Sequence, residues 1–361
     1  MGNKIKVGVL GATGIVGQNY IRLLNNHPWF EIAYLAASPA SAGKKYVEAV
    51  AGRWHMLVDI PENVRNMEIA DAGIVGNAVG KCEIVFSAVE MDKQAIKAIE
   101  AEYARKGFAV VSNNSAHRNT EDVPILIPEI NHDHLRIIPV QRKNHGWSNG
   151  LIVVKPNCSI QSFMMPVSAL MKAGYIIDKM IVATLQALSG AGYPGPSALD
   201  VVDNIIPYAA GEEEKSEVEP PKIWGKIQDG KLVNDNTTRI SAHCNRVAVI
   251  DGHTACVSLS FAGKKPTAEE MIHIWQDFKS VPQELGLPSA PAHPIIYRTE
   301  IDRPQPRKDR DTEKGMAITV GRLRTCNVMD YRFVGLHHNT IRGAAGGSIL
   351  SAELLKAQGW I

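Results

Sequence analysis

One stretch near the start of the chain decides the fold: Lys4-Ile5-Lys6-Val7-Gly8-Val9-Leu10-Gly11-Ala12-Thr13-Gly14-Ile15-Val16-Gly17. Its first seven residues predict a short β-strand. The apolar residues at positions 20–24 have helical spacing, and the predicted helix runs to Asn26, where His27-Pro28 ends it. A second strand is predicted over 31–36. Strand, glycine turn, helix and strand together make one βαβ unit.

The turn between the first strand and the helix predicts a bound dinucleotide. Gly11, Gly14 and Gly17 form G-x-x-G-x-x-G, a variant of the dinucleotide fingerprint. Residues without a Cβ atom let the backbone approach a pyrophosphate at a helix N-terminus. A glycine triplet alone is a weak signal, but its position between a strand and a helix makes it a good one.

The end of the second strand indicates which nucleotide binds. An NAD site usually has Asp or Glu there to bind the ribose 2′-hydroxyl, but residues 36–45 contain no acid. Instead the hydroxyls of Ser38 and Ser41 and the ammonium groups of Lys44 and Lys45 could receive a 2′-phosphate. NADP is therefore favoured over NAD. The alternative is a serine loop that touches no ligand.

The alternation of strands and helices continues through the first half of the chain. A strand is predicted over 83–87, a helix over 92–106, and two further strands over 108–112 and 151–154. Strands that alternate with helices predict a parallel sheet covered by helices on both faces.

The pattern changes after residue 158. Strands are predicted over 179–188, 254–261, 316–323 and 331–336, separated by polar loops, which suits an antiparallel or mixed sheet in a second domain. Residues 298–314 are predicted to be a solvated loop, with an interface or ligand loop as the alternative. A helix rich in Gly and Ala is predicted over 341–358.

Composition and charge exclude several classes of protein. A length of 361 residues suggests two domains, and a net charge of +2 gives no field that favours nucleic acid or a membrane surface. The N-terminus enters a strand at once, and no apolar run approaches the roughly 20 residues that span a bilayer. No C-x-x-C pair occurs, so neither a disulfide framework nor a metal site is expected. The cysteine pattern instead predicts a cytoplasmic location. The five cysteines are Cys82, Cys158, Cys244, Cys256 and Cys326.

One of these cysteines has neighbours that suggest chemistry. Cys158 follows a predicted strand and Pro156 at the start of a helical run, where helix amides would lower the pKa of a thiol. A lone cysteine is more often a small buried hydrophobe. However, Gln186 ends a predicted strand before a small-residue loop, and segment 246–253 predicts a strand with Arg246 and His253 at its ends. A nucleophilic Cys, a His for proton transfer and an Arg for a carboxylate form an acyl-transfer set.

Taken in order, the motifs resemble the aspartate-β-semialdehyde dehydrogenase family, in particular its fungal and archaeal branch. The resemblance covers nearly the whole chain and is carried by residues 11–17, 112–118, 156–159, 186–195, 211–215, 246–253 and 339–347. It implies an α/β fold like that of glyceraldehyde-3-phosphate dehydrogenase. A Rossmann dinucleotide-binding domain, residues 1–156, would be completed by the C-terminal helix, 339–361. Residues 157–338 would form an α+β catalytic and dimerisation domain.

The resemblance also implies roles for individual residues. Cys158 resembles the acyl-thioester nucleophile, His253 the acid/base and Gln186 the residue that orients the substrate. Among the expected substrate ligands, one of the consecutive acids 212–214 would take the amino group, with the exact position left open. The expected substrate-binding residues are Arg246, Glu212, Lys215, Arg118 and Asn157. The expected cofactor-binding residues are Gly11, Thr13, Gly14, Ile15, Val16, Ser38, Ser41, Ser87, Gly190 and Asn339.

The implied activity is NADPH-dependent reductive dephosphorylation of β-aspartyl phosphate to aspartate β-semialdehyde. This reaction lies in the aspartate pathway to threonine, methionine, isoleucine and, where present, lysine, and the family suggests a homodimer or homotetramer. Alternatives are reductases of malonyl- or succinyl-coenzyme A, N-acetylglutamyl-phosphate reductases, and a non-catalytic NADP-binding protein. Glu212 has a purpose only if the substrate carries an amino group, which argues against the alternative substrates.

Overall fold

The computed structural model describes residues 4–209 and 211–361. Its strands are β1 (Ile5–Leu10), β2 (Phe30–Ala37), β3 (Ile69–Asp71), β4 (Ile84–Ser87), β5 (Ala109–Ser112), β6 (Leu151–Val154), β7 (Ile176–Gln186), β8 (Lys226–Gln228), β9 (Lys231–Val233), β10 (Arg239–Arg246), β11 (His253–Ala262), β12 (Ile295–Arg298), β13 (Ile318–Thr325) and β14 (Tyr331–His337).

Helices connect and cover these strands. They are α1 (Ile15–Leu24), α2 (Tyr46–Ala49), α3 (Glu62–Arg65), α4 (Lys93–Arg105), α5 (Pro128–Asn131), α6 (Ile138–His145), α7 (Gln161–Lys172), α8 (Ala198–Val201), α9 (Glu212–Ile223), α10 (Ala268–Gln276), α11 (Val281–Glu284), α12 (Pro306–Asp309) and α13 (Gly346–Ala357). Among the described residues, no helix combines the length and apolar character needed to cross a bilayer.

The first sheet is parallel throughout and has the strand order β3-β2-β1-β4-β5-β6. Its central strands are buried on both faces, as the continuous apolar runs predict; Val7, Val9 and Leu10 are fully buried. This order is the Rossmann order. Strands β2 and β3 are added on one side of β1, and β4 to β6 on the other, so the switch point of the sheet lies between β1 and β4. A crevice therefore opens at the carboxyl ends of these two strands, where the glycine turn lies.

The second sheet is mixed, with the order β10-β7-β11-β14-β13-β12. Burial alternates along β7: Ile177, Met180 and Val182 are buried, whereas Ile176 and Ile181 are exposed. The buried face packs on α7 and α10 in one core. The opposite face is open. The predicted α/β fold, with a Rossmann sheet and a second mixed sheet, is confirmed.

The C-terminal residues return to the first sheet. Residues 341–345 form a distorted π-type turn, and α13 buries its Ile349, Leu350 and Leu354 in the same core as β1 and α1. Polar contacts reinforce this packing: His27 Nε2 lies 2.8 Å from Glu353 Oε1, and both side chains are buried. The predicted limits of the two domains stay predictions, but this helix packs where the resemblance implied.

A buried ion pair joins the π-type turn to α5. The Arg342 guanidinium forms a two-pronged ion pair with Glu129 of α5, at 2.6 Å and 2.7 Å. Both side chains are almost fully buried. Burial of a charge is unfavourable unless a partner compensates it, so this pair depends on both of its members.

Three predictions about local structure in the second half are wrong. Residues 247–252 are a loop between β10 and β11, because Gly252 has a φ of +105° and the loop carbonyls bond to residues 188 and 189. The strands are not separated by loops alone, since α9 and α10 lie between them. Residues 298–314 are not merely solvated: Asp309 is buried there and pairs with Arg298 and Arg303.

Candidate active site

Cys158 lies in the short link between β6 and α7 and is half-buried. The helix begins only at Gln161, so the thiol does not sit in the first helical turn. The surrounding protein raises the pKa of Cys158 to about 11, mainly through burial and then through the Glu212 carboxylate. The expected lowering of this pKa is therefore wrong for the free protein, because burial outweighs the helix amides.

His253 faces the cysteine from the first position of β11. Its Nε2 lies 3.5 Å from Cys158 Sγ, and the ring is fully buried. Its Nδ1 accepts a hydrogen bond of 3.0 Å from the backbone N–H of Ala187. A backbone amide can only donate, so the proton of the neutral ring lies on Nε2 and points at the sulfur. Burial, and next the charge of Arg246, lower the pKa of His253 to about 3, so the ring is neutral near pH 7.

Arg246 reaches the site differently from the prediction. It ends β10 and stands opposite Gln186 at the end of the neighbouring β7. Its Nη1 donates to the carbonyl of Ala187 at 2.7 Å. A Cβ atom at Gly190 would lie 2.8 Å from His253 Cε1 and 2.9 Å from Arg246 Nη1, so glycine alone allows this close approach. The buried Gln186 amide donates to Thr184 at 3.2 Å.

Of the three consecutive acids, one points towards the cysteine loop. Glu212 begins α9; its Oε2 accepts from Asn157 Nδ2 at 2.6 Å and its Oε1 pairs with Lys215 at 2.9 Å. Glu213 instead accepts from the backbone N–H of Cys244 at 2.9 Å, and Glu214 is exposed. The geometry favours Glu212 among the three.

A buried ion pair lies on the other side of the loop. Arg118 Nη1 pairs with Glu219 at 2.7 Å, and its Nε donates to the carbonyl of Lys155 at 3.0 Å. Glu219 also accepts from the backbone N–H of Asn157 at 2.6 Å. Glu219 was not among the residues predicted for the site, although its spacing of seven residues from Glu212 places both acids on one face of α9.

The glycine turn forms one end of a groove that leads to the cysteine. A Cβ on Gly11, whose φ is +79°, would overlap the carbonyl oxygen of Ala88, and one on Gly17 would overlap that of Gly11. The groove has two adjoining parts, of 430 Å³ and 360 Å³. The predicted residues that line it are Gly11, Thr13, Gly14, Ile15, Val16, Ser38, Arg118, Asn157, Cys158, Gly190 and Asn339.

Asn339 is held by two bonds in this groove. Its Oδ1 accepts from the backbone N–H of Gly252 at 2.8 Å, and its Nδ2 donates to Ser189 Oγ at 2.8 Å. The amide thus ties the loop before β11 to the small-residue loop after β7. These two hydrogen bonds fix the orientation of its side chain.

Some predicted cofactor residues do not reach the groove. Ser41 is buried, and the fully buried Ser87 hydroxyl accepts from Asn114 Nδ2 at 3.3 Å. Lys44 Nζ donates to the carbonyl of Ala40 at 2.9 Å, and neither it nor Lys45 is among the lining residues.

The groove also has lining residues that were not predicted from the sequence. Arg53 and His55 line it beside Ser38, and the ring of His55 stacks on Tyr193 at 3.6 Å. No motif surrounds Arg53 in the sequence, so its place beside Ser38 could not be predicted. Only the fold brings the two residues together.

Known proteins of one family are similar to this chain over nearly its whole length. The profile of the semialdehyde dehydrogenase NAD binding domain matches residues 6–138, and that of the semialdehyde dehydrogenase dimerisation domain matches residues 167–342. The aspartate-semialdehyde dehydrogenases of Archaeoglobus fulgidus and Schizosaccharomyces pombe are 44% and 42% identical to the chain, with 98% of each sequence covered. The crystal structure of the Candida albicans aspartate semialdehyde dehydrogenase with NADP superposes with a TM-score of 0.89, at 39% identity, and covers 99% of this chain and 100% of that one. The chain therefore belongs to the aspartate-semialdehyde dehydrogenase family.

Proposed function

We propose that this protein is an NADP-dependent aspartate-semialdehyde dehydrogenase that reduces β-aspartyl phosphate through a thioester on Cys158. One observation carries the proposal: the pair of Cys158 Sγ and His253 Nε2, 3.5 Å apart, stands at the end of a groove that begins at the glycine turn. Relatives named aspartate-semialdehyde dehydrogenase, at more than 40% identity, support the choice of substrate.

The residues of the groove fit a dinucleotide phosphate. The cradle of Gly11 and Gly14 at the start of α1 would hold the pyrophosphate, and Ser38 and Arg53 the 2′-phosphate. Asn339 would lie towards the nicotinamide. When bound there, NADPH supplies the hydride that reduces the thioester carbonyl.

The chain's own residues position and activate the acyl group. Arg246 would bind the substrate carboxylate and Glu212 its amino group, while Lys215 and Arg118 supply positive charge for the phosphate. The Cys158 S–H bond breaks and its electron pair forms the bond to the carbonyl carbon. Phosphate leaves with the electron pair of the broken C–O bond and takes up the proton as hydrogen phosphate. The resulting thioester carbonyl is more electrophilic than a carboxylate, so one difficult step becomes two easier ones.

His253 acts as a hydrogen-bond donor in this scheme. Its Nε2–H faces the reacting atoms because Ala187 occupies Nδ1. It would stabilise the negative oxygen of the thiohemiacetal and then the Cys158 thiolate as the C–S bond breaks and the aldehyde forms. Of the two predicted roles of His253, acid and base, this scheme therefore uses only the acid.

The proposed function predicts a phosphate-dependent oxidation of aspartate semialdehyde. Purified protein should reduce NADP when both the aldehyde and phosphate are present, and should use NAD less well. In the opposite direction, NADPH oxidation with malonyl- or succinyl-coenzyme A should be at least about 100-fold slower than with β-aspartyl phosphate. The reason is that neither coenzyme A thioester has an amino group for Glu212 to bind. Equal or faster use of a coenzyme A thioester, or no activity with the semialdehyde, would contradict the proposal.

Arg53 offers a separate prediction about the cofactor. Changing Arg53→Ala should raise the KM for NADP about 10-fold and leave that for NAD nearly unchanged, since one charged contact to the 2′-phosphate is lost. Steady-state kinetics with both nucleotides measures this. The matched control is Lys44→Ala, which removes a cation outside the groove and should change neither KM. A larger effect of the Lys44 variant would favour the hypothesis that Lys44, rather than Arg53, binds the 2′-phosphate.

The assembly that best fits the second sheet is a homodimer. The open face of β7 exposes Ile176 and Ile181, and the profile of residues 167–342 is that of a dimerisation domain. A second copy that covers this face would bury those side chains; pairing of two dimers would give the homotetramer. A cytoplasmic location stays a prediction of the sequence.

A further inference from the structure

Gln18 is a buried residue of α1 whose side-chain hydrogen bonds all leave the helix. The side chain is 1% exposed. Its Nε2 donates to the carbonyl of Thr13 at 3.0 Å and to the carbonyl of Arg53 at 2.7 Å. Its Oε1 accepts from the backbone N–H of His55 at 2.8 Å. One amide thus joins the glycine turn to a segment that follows 35 to 37 positions later in the chain.

The segment that Gln18 holds, residues 53–55, has few other polar anchors. Within the described part of the chain, its remaining hydrogen bonds are to residues 49–58, its own neighbours in sequence. A buried amide must find partners for its N–H and C=O groups, and Gln18 finds them in the backbone of this segment. The position of residues 53–55 relative to the glycine turn therefore depends on Gln18.

Residues 53–55 carry two side chains that line the groove. Arg53 lies beside Ser38 and is the only Lys or Arg among the described residues that line the 430 Å³ part. The ring of His55 stacks on that of Tyr193, with centroids 3.6 Å apart and an angle of 27° between the planes. Tyr193 belongs to the loop that follows β7. The segment is thus held from two directions, by Gln18 on one side and by Tyr193 on the other.

The placement of the Arg53 backbone matters for a phosphate ligand. A guanidinium binds phosphate best through two parallel N–H bonds, and this geometry depends on where the side chain starts. The Arg53 carbonyl that Gln18 holds fixes that start. A contact that is positioned before binding loses less conformational entropy when the ligand arrives. NAD has a hydroxyl where NADP has the 2′-phosphate, so NAD gains little from the same placement.

We propose that Gln18 is a positioning residue that sets the preference for NADP over NAD. It holds residues 53–55 against the glycine turn, and Arg53 is thereby placed to receive the 2′-phosphate beside Ser38. Gln18 acts through Arg53, since Gln18 itself is not among the residues that line the groove. This inference rests on the proposed function, in which Arg53 binds the 2′-phosphate.

The affinities of the full chain for NADP and NAD test the inference without any turnover. Gln18→Met keeps the length of the side chain but removes its donor and its acceptor. By calorimetric titration, the NADP dissociation constant of this variant should rise about 5-fold, and the NAD constant should change at most about twofold. The matched control is Asn19→Leu. Asn19 is also a buried amide of α1, but its Nδ2 donates to the carbonyl of Ile15 within the helix, so both constants should stay unchanged.

A double variant shows whether Gln18 acts through Arg53. In Arg53→Ala with Gln18→Met, the NADP dissociation constant should lie within about twofold of that of Arg53→Ala alone, because the guanidinium that Gln18 positions is already gone. A merely structural role of Gln18 predicts instead that the two effects multiply.

The stack on Tyr193 gives a second test that does not depend on a buried substitution. Tyr193 is 65% exposed, so Tyr193→Ala should fold. Because the variant releases residues 53–55 from their other side, it should lower the ratio of NADP to NAD affinity about 3-fold. Tyr193→Phe keeps a ring for the stack and should retain the wild-type ratio.

Several results would overturn the inference. One is an equal rise of both dissociation constants in Gln18→Met, as a general loosening of the glycine turn would give; another is an unchanged NADP constant in that variant. Multiplying effects in the double variant would also contradict it. If Gln18→Met does not fold, an unchanged affinity ratio in Tyr193→Ala decides against the inference. A protein that shows the expected affinities but does not oxidise aspartate semialdehyde would contradict the proposed function alone.

Discussion

Changing Cys158→Ser should lower kcat for semialdehyde oxidation by about 10⁴-fold or more and leave NADP affinity unchanged. A serine hydroxyl loses its proton far less readily than a thiol. The neighbouring His253 does not compensate, because its Nε2 is a donor towards position 158. Steady-state kinetics gives kcat, and calorimetric titration gives the NADP dissociation constant.

The matched control for the nucleophile is Cys326→Ser. Cys326 is a partly exposed cysteine in the turn between β13 and β14 and makes no contact with the groove. Its replacement should leave kcat within about twofold. A Cys158→Ser protein that kept a tenth or more of the wild-type kcat would eliminate the thioester scheme, whatever the substrate.

The second large effect concerns stability. Changing Arg342→Met should lower the free energy of unfolding by about 3–5 kcal/mol, since it leaves the Glu129 carboxylate buried without its partner. Urea unfolding followed by circular dichroism measures the change. The same substitution at Arg105, which pairs with Glu102 on the surface, should change the midpoint little.

The double variant Arg342→Met with Glu129→Met separates the pair from its surroundings. Removing both charges together abolishes the uncompensated carboxylate, so the double variant should be more stable than Arg342→Met alone. If both variants lost the same stability, the packing of the Arg342 side chain rather than its charge would matter. An unchanged midpoint in Arg342→Met would show that Glu129 needs no partner.

Local signals predicted the first half of the fold well. The strand, glycine turn and helix of residues 5–24 are encoded in adjacent residues, and so are the apolar runs of β4, β5 and β6. The turn after the first strand needs glycine at positions 11 and 17 because neighbouring carbonyls leave no space for a Cβ atom. Motifs of this kind depend on the backbone around them and can be recognised without the rest of the chain.

The residues that sequence missed depend on distant contacts. Arg53 reaches Ser38 only through the fold of the first sheet, and Glu129 meets Arg342 across 213 positions. The apolar segment 247–252 has the composition of a strand, but Arg246 and His253 meet because β10 and β11 both border β7. Likewise, the pKa of Cys158 follows its burial in the folded protein, which its place before a helix does not reveal.

The packing of α13 has a consequence for how the protein is made. Its apolar side chains share a core with β1, and Glu353 meets His27 across 326 positions. The first-synthesised layer therefore lacks part of its interior until residues 346–357 have been made. Domains that are continuous in sequence fold from the N-terminus during synthesis, whereas contacts of this span delay folding. A ribosome-bound chain stalled before residue 346 would therefore hold an incomplete nucleotide-binding layer.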